Sequence, residues 1–557
     1  MKRKFAWLLS LGLVLSMFLA ACSGGGDETQ ESDTPKEEPA EDVEQVMNLV
    51  NADTIPTMDP SMATDQFAFQ FLGETMEGLY RLDKDAKPVE GIAKSHEVSD
   101  DALTWTFTLR EDAKWSNGDP VTAHDFVYAW QRAVDPKTGS EYGPYMMAGV
   151  IKNADAVSKG EVAVEELGVK AEGDYTLVVT LENPTPYFES LTTFGTFLPL
   201  NQKFVEEQGD KFATSADTLL ANGPFKFTDW TSTAQKWTLV KNEDYWDAAT
   251  VKLETLNYVV VKDPQTSLDL YLKGEIDRTS LSSDLVDEYA SHDDYNVFPQ
   301  TSVFYLKMNQ TRNEALANKN IRSAILHAYD KEAIADEILN NGSIAANGLV
   351  PKDFVQTPDG KDFREAAGDL AGFDLESAKE FWEKGLAELG TDKVEVEFLA
   401  DDGEGAVKTM NENIKSQLET NLPGLTVTLK PVPFEQRLDL DTAMDYDIQF
   451  AGWGPDYLDP YTFLSLWVTD GGNNKMGYSN AEYDKLLQEA QTTLANDQEA
   501  RYANFLEAEK ILFEDAAIAP VYQRALAQLV SPKVEGVFLN PFGADYEYKW
   551  ASVGSEE

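Results

Sequence analysis

Carboxylates dominate the groups that could do chemistry. The chain has 97 Asp and Glu against 46 Lys and Arg, a formal net charge of -51 over 557 residues. Acids this dense fall into pairs by chance, so carboxylate pairs carry no glycosidase signal. Histidine occurs only at His96, His124, His292 and His327, with no H-x-x-x-H spacing, and Cys22 is the single cysteine. A zinc or haem site made of protein ligands is therefore disfavoured, and a disulfide within the chain is excluded. There is no Walker loop, G-x-S-x-G elbow or H-E-x-x-H motif. Asp401-Asp402-Gly403-Glu404-Gly405 has a calcium-like composition without the ligand spacing and reads as an exposed acidic turn. No metal, cofactor or catalytic constellation emerges, so the chain reads as a binder and not an enzyme. Its negative field repels phosphate backbones and argues against nucleic acid. The charge fits either a solvated acidic surface or attraction of ammonium-bearing ligands.

The first residues give an address. Lys2, Arg3 and Lys4 precede an apolar run from Phe5 to Ala21, too short for an ordinary spanning helix. Residues 1–21 read as a secretory signal. Leu19-Ala20-Ala21-Cys22 resembles the bacterial lipobox, which makes Cys22 the lipidated residue. Several acyl chains would hold the protein at the cell membrane, on its extracytoplasmic face. Residues 22–45 start with the lipidated cysteine and Ser-Gly-Gly-Gly and contain nine acids, one lysine and no aromatic. That composition predicts a disordered tether.

The elements that must position any site are α/β. Strand periodicity marks Leu103–Arg110, Tyr175–Leu181, Val394–Phe398 and Leu425–Leu429, and Leu256–Val261 reads as a central strand. Helical spacing joins Ile321, Ala324, Ile325 and Ala328, continuing through Ile334, Ile338 and Leu339. It recurs at Val407, Met410, Ile414 and Leu418, at Tyr483–Leu494, and at Tyr502–Phe513. Regular strand–helix alternation from 394 to 450 predicts βα units.

Several blocks resemble one family. They include Met58-Asp59-Pro60, Thr106–Arg110, Ala113–Ala123 with Asp125–Trp130, Leu181–Phe188, Asn222-Gly223-Pro224-Phe225, Gly452-Trp453 with Asp459-Pro460, and Ala519–Tyr522. The chain is identified as a member of the oligopeptide-binding lipoproteins of peptide ABC importers, solute-binding protein family 5, of Gram-positive type. The resemblance implies a two-lobed periplasmic-binding-protein-like fold with an extra inserted domain and a hinge between the lobes. By position, lobe one takes 46–76, 201–300 and 528–557, the inserted domain takes 77–200, and lobe two takes 301–527. It further implies capture of oligopeptides in extended form between the lobes by β-augmentation. Delivery would be to permease transmembrane subunits with their ATPases, by a monomeric receptor.

The resemblance carries site roles to particular residues. Asp456 falls where the family's aspartate pairs with the peptide α-ammonium; a turn residue capping its own backbone is the alternative. Gly452 and Gly454 would let a peptide backbone approach, and Trp453 would line a side-chain pocket or pack in the core. Thr64 and Gln66 match a backbone-pairing segment by offset. Tyr142 falls at a peptide-contacting tyrosine or in a plain surface loop, and Tyr305 is either a contact or a buried strand residue. Phe450 stands where relatives often carry an arginine, which leaves reception of the peptide C-terminus open; Arg437 is nearby in sequence. Receptors for dipeptides, a nickel chelate or haem, a peptide-pheromone sensor and a surface carbohydrate-active hydrolase are the rival readings.

Overall fold

The structure is a computed structural model that describes residues 43–555 apart from Ser283 and Glu404. The expected signal segment, Cys22 and nearly all of the tether lie outside the described residues. The tether's expected end is too late. The Gln45 amide exchanges hydrogen bonds of 2.8 and 3.1 Å with the backbone of Val553, which ties this residue into the folded body.

Most period-two stretches become strands. Thr104–Leu109 and Thr176–Thr180 pair antiparallel in a four-stranded sheet completed by Ala93–Val98 and Val169–Ala171. Thr255–Val260 is interior to a second sheet, parallel to Val46–Asn51 and antiparallel to Lys236–Lys241, with Phe225–Phe227 at one edge. A seven-stranded sheet runs in the order Arg278–Leu281, Ile518–Val530, Tyr295–Met308, Ile448–Trp453, Val394–Asp401, Leu425–Val432, with Ile344–Ala345 also on Ile518–Val530.

The alternation expected from 394 to 450 is present. Val394–Asp401 lies parallel to both Leu425–Val432 and Ile448–Trp453, and helices Ala406–Asn421 and Phe434–Thr442 make the connections. The first helix buries Ala406, Met410, Ile414 and Leu418. One expected helix is interrupted. Lys319–His327 stops, and the Asp330 side chain caps a new start by accepting from the Ala333 N–H at 3.0 Å. Ile334–Leu339 then follows as a π-helical turn.

The 113–130 block serves the fold. Thr122 and Asp125 form a capping box at the start of Ala123–Val134. Trp115, Phe126 and Trp130 are fully buried around it.

Two large cores result. One draws on residues from Met47 to Tyr258 with Tyr457, Tyr548 and Ala551, and the other on Val303 to Tyr522. Tyr145, Trp453 and Tyr461 pack against both. Strands Tyr295–Met308 and Ile518–Val530 run straight through positions 300 and 527, where lobe boundaries were expected. Among the described residues no helix is long and apolar enough to cross a membrane, and no cluster could hold a metal ion.

Candidate functional site

Strand Ile448–Trp453 builds the floor of the site. On one side it pairs along its whole length with Val303–Met308. On the other it meets Val394–Asp401 only at Ile448 and Gln449. The edge from Phe450 to Trp453 therefore has no strand partner on that side among the described residues. Backbone groups on such an edge need partners. They face a cavity of about 280 Å³ whose walls come from both cores, including Phe69, Phe194, Phe304 and Trp467.

One end of the cavity is built around Asp456. Its carboxylate is 3% exposed and accepts from the Tyr145 hydroxyl at 3.1 Å and from the Thr462 hydroxyl at 3.4 Å. The Asp456 N–H donates back to the Thr462 hydroxyl at 3.0 Å. The turn is anchored by buried Arg501, which holds Asp459 through two bonds of 2.6 and 2.9 Å. Tyr145 comes from helix Tyr142–Met147, whose first residue lines the cavity. No lysine or arginine pairs with Asp456 among the described residues. Burial pushes its carboxyl up to about 8, with the Tyr145, Thr462 and Tyr142 hydroxyls opposing. Burial and the neighbouring Asp456 push the Tyr145 hydroxyl well above its ordinary value, so it remains a donor. Trp453 stacks on Tyr142 and meets Tyr145 edge-on, which walls this end with aromatic rings.

The other end carries charge in matched form. Lys307 donates to Asp441, and Arg437 donates to Asp401 at 2.6 Å. Gln449 joins the two pairs: with its amide oriented to suit both neighbours, it donates to Asp441 and accepts from Arg437 at 2.8 Å. Across the rim, Lys475 donates to Glu141 at 2.6 Å, and Phe67 packs edge-on against Phe434.

Residues 87–475 match the family described as bacterial extracellular solute-binding proteins, family 5 Middle. The chain belongs to that family. It is 36% identical to the dipeptide-binding protein of Lactococcus lactis subsp. cremoris over 90% of this chain and 92% of that one. It is 47% identical to the Listeria monocytogenes OppA bound to peptide, with a TM-score of 0.88 over 92% of this chain and all of that one. The Escherichia coli murein tripeptide binding protein MppA, 28% identical, superposes at 0.83 over 92% of this chain and 99% of that one. An MppA structure titled as the unliganded open form, again 28% identical, reaches only 0.62 over 92% and 97%. The two bodies of this family member thus stand away from that open arrangement.

The cavity brings together Thr64, Gln66, Tyr142, Tyr305, Gly452, Trp453, Gly454 and Asp456. The structure gives several of them a definite setting. Gln66 opens helix Gln66–Thr75, capped by Asp65, and its side chain donates to the Gly543 carbonyl at 2.7 Å. Tyr142 lies buried on a helix, not in a surface loop. Gly452 is required by the protein itself, since a Cβ there would come within 2.5 Å of the Phe304 ring; at Gly454 the Ser302 hydroxyl would be 3.0 Å away. Tyr305 is both a buried strand residue and a cavity wall. Tyr145, Thr462, Lys307, Asp441 and Gln449 were not singled out by sequence. Tyr145 stands three residues after Tyr142, and reading that segment as a helix would have put both rings on one face.

Proposed function

We propose that this family member is an extracytoplasmic receptor that binds oligopeptides in extended form and hands them to an ABC import permease. The observation that carries the reading is Asp456, a buried carboxyl group that meets no cation among the described residues, at the end of a strand edge left unpaired by them. An ammonium arriving there favours the ionised carboxylate and supplies its counter-charge. The edge supplies backbone donors and acceptors irrespective of ligand sequence. Four residues of edge span about 13 Å, enough to hold a few ligand residues while the aromatic walls take side chains.

Asp456 then reads the free N-terminus, Trp453 and Tyr142 enclose it, and Thr64 and Tyr305 line the chain beyond. No step of bond making is involved. The two cores support the two-lobe part of the division given by sequence position, while strands Tyr295–Met308 and Ile518–Val530 cross its expected boundaries. We further propose attachment through lipidated Cys22 and a monomeric receptor. Cys22→Ser should release the protein into the medium of growing cells.

Mass spectrometry of small molecules released from the purified chain tests the main reading. Peptides of mixed sequence support it; a single sugar or a metal chelate overturns it. N-terminal acetylation of a bound peptide should weaken binding about as much as loss of the Asp456 carboxylate, and equal binding of acetylated and free peptide would sink the ammonium assignment.

A further inference from the structure

Four cations line the cavity: Lys307, Arg437, Lys475 and Arg524. The first three have counter-ions in Asp441, Asp401 and Glu141. The Arg524 side chain makes no hydrogen bond, ion pair or cation–π contact among the described residues, yet the residue is only partly exposed.

The local backbone explains why it points inward. Gln523 is pinned on one face of strand Ile518–Val530. It donates to the Gln300 and Lys352 carbonyls at 2.9 and 3.0 Å and accepts from the Lys352 N–H at 2.8 Å. Tyr522 lies on the opposite face, stacked against the cavity wall at Phe304. Arg524, two residues on, shares the Tyr522 face. The facing strand is also out of register there. Val303 lies opposite Gln523 and Pro299 opposite Ala525, so Gln300, Thr301 and Ser302 bulge against Arg524 alone. Ser302 turns into the cavity beside Gly454. Arg524 therefore stands at the Gly454 end of the open edge, the end that leads to Asp456.

A guanidinium keeps its charge at any accessible pH and presents a planar fork of donors that matches a carboxylate. Asp545, also on the cavity wall, lies within range of its charge without forming an ion pair. The fork is thus left open in a cavity where the other cations are neutralised. Resting on the peptide-receptor reading above, we propose that Arg524 receives a carboxylate of the bound peptide close to its N-terminus. That carboxylate belongs to an acidic side chain at the first or second position, or to the C-terminus of a dipeptide.

Calorimetric titration of the purified, ligand-free chain separates these sources. The probes are tetra-alanine, its variants with Glu or Gln at position one or two, Ala-Ala, and Ala-Ala amide. In the native chain a Glu-over-Gln ratio, or an acid-over-amide ratio for the dipeptide, of about tenfold is expected for one charge-assisted contact. The first ratio identifies a side chain and the second a dipeptide terminus. Arg524→Gln should bring the ratio close to one while leaving tetra-alanine binding within about twofold, and Arg524→Lys should restore part of it. A native chain without either preference, or an Arg524→Gln chain that keeps it, overturns the proposal and leaves the peptide-receptor reading intact. Loss of all peptides in Arg524→Gln at unchanged melting temperature would mark a general structural role and likewise overturn it. If the native chain binds none of the probes, the receptor reading falls and the proposal with it.

Discussion

The two ends of the cavity handle buried charge in opposite ways. Around Lys307, Asp441, Gln449, Arg437 and Asp401 each cation meets an anion, and a neutral amide joins the pairs. That end is electrostatically complete and needs no ligand. Around Asp456 a carboxylate is withdrawn further from water than Asp441 or Asp401 and, among the described residues, its side-chain partners are hydroxyls. That end is incomplete until a cation enters. The same chemical group is therefore ion-paired at one end and without a counter-ion among the described residues at the other, and the proposed receptor role of Asp456 rests on that difference.

The sharpest way to break the contrast is to remove the incomplete group. Asp456→Ala should weaken peptide binding by about 2–4 kcal/mol, roughly 30- to 1,000-fold, by calorimetry. Removing one member of the complete end should act on stability instead. Lys307→Met strands Asp441 and should cost about 3 kcal/mol in denaturant unfolding, with much of that recovered when Asp441→Leu is added.

The ends should also differ in proton linkage. The Asp456 carboxyl sits at about 8 in the free protein, whereas the bound form must be ionised. Affinity should therefore fall up to about tenfold per pH unit below 8, and fall again above it as the peptide amine, with a pKa of about 7.7–8.0, loses its proton. A flat pH profile between 6 and 8 would remove this carboxylate from the binding step. In the free protein the sign is reversed. A carboxyl raised from 3.8 to about 8 on folding destabilises progressively as pH rises through that window. Asp456→Asn should accordingly melt higher than the native chain at pH 8 while failing to bind.

The smallest effect is expected at the rim. Glu141 is exposed, so Glu141→Gln should cost less than about 1 kcal/mol, read as a severalfold faster peptide release at low salt and little change at high salt.

Much of the scaffold was legible because its signals are local. Alternation at Thr104–Leu109 and the βα rhythm after Val394 report burial on one face of one element, and both elements are present. The block from Ala113 to Trp130 carried much of the family resemblance, yet its tryptophans are buried in the core and do not line the cavity. The site was legible only where a short motif contains it, as around Gly452, Trp453 and Asp456. Lys307 meets Asp441 and Gln449 through strand pairing and helix packing across more than a hundred residues, and no spacing along the chain announces that. Gly452 shows a different gap: its residue type was visible, but the Phe304 ring that demands it lies on the neighbouring strand.

The unpaired edge from Phe450 to Trp453 has a further consequence. On an outer surface such an edge is a template for association with other chains, and folded proteins usually blunt it with charge, proline or a bulge. Here none of those devices is present along the four residues. Protection comes from enclosure instead. A chain can reach this edge only as a single extended strand narrow enough for the cavity, so another folded sheet is turned away by its bulk. The edge thus sorts its visitors by whether they are folded before it can sort them by sequence.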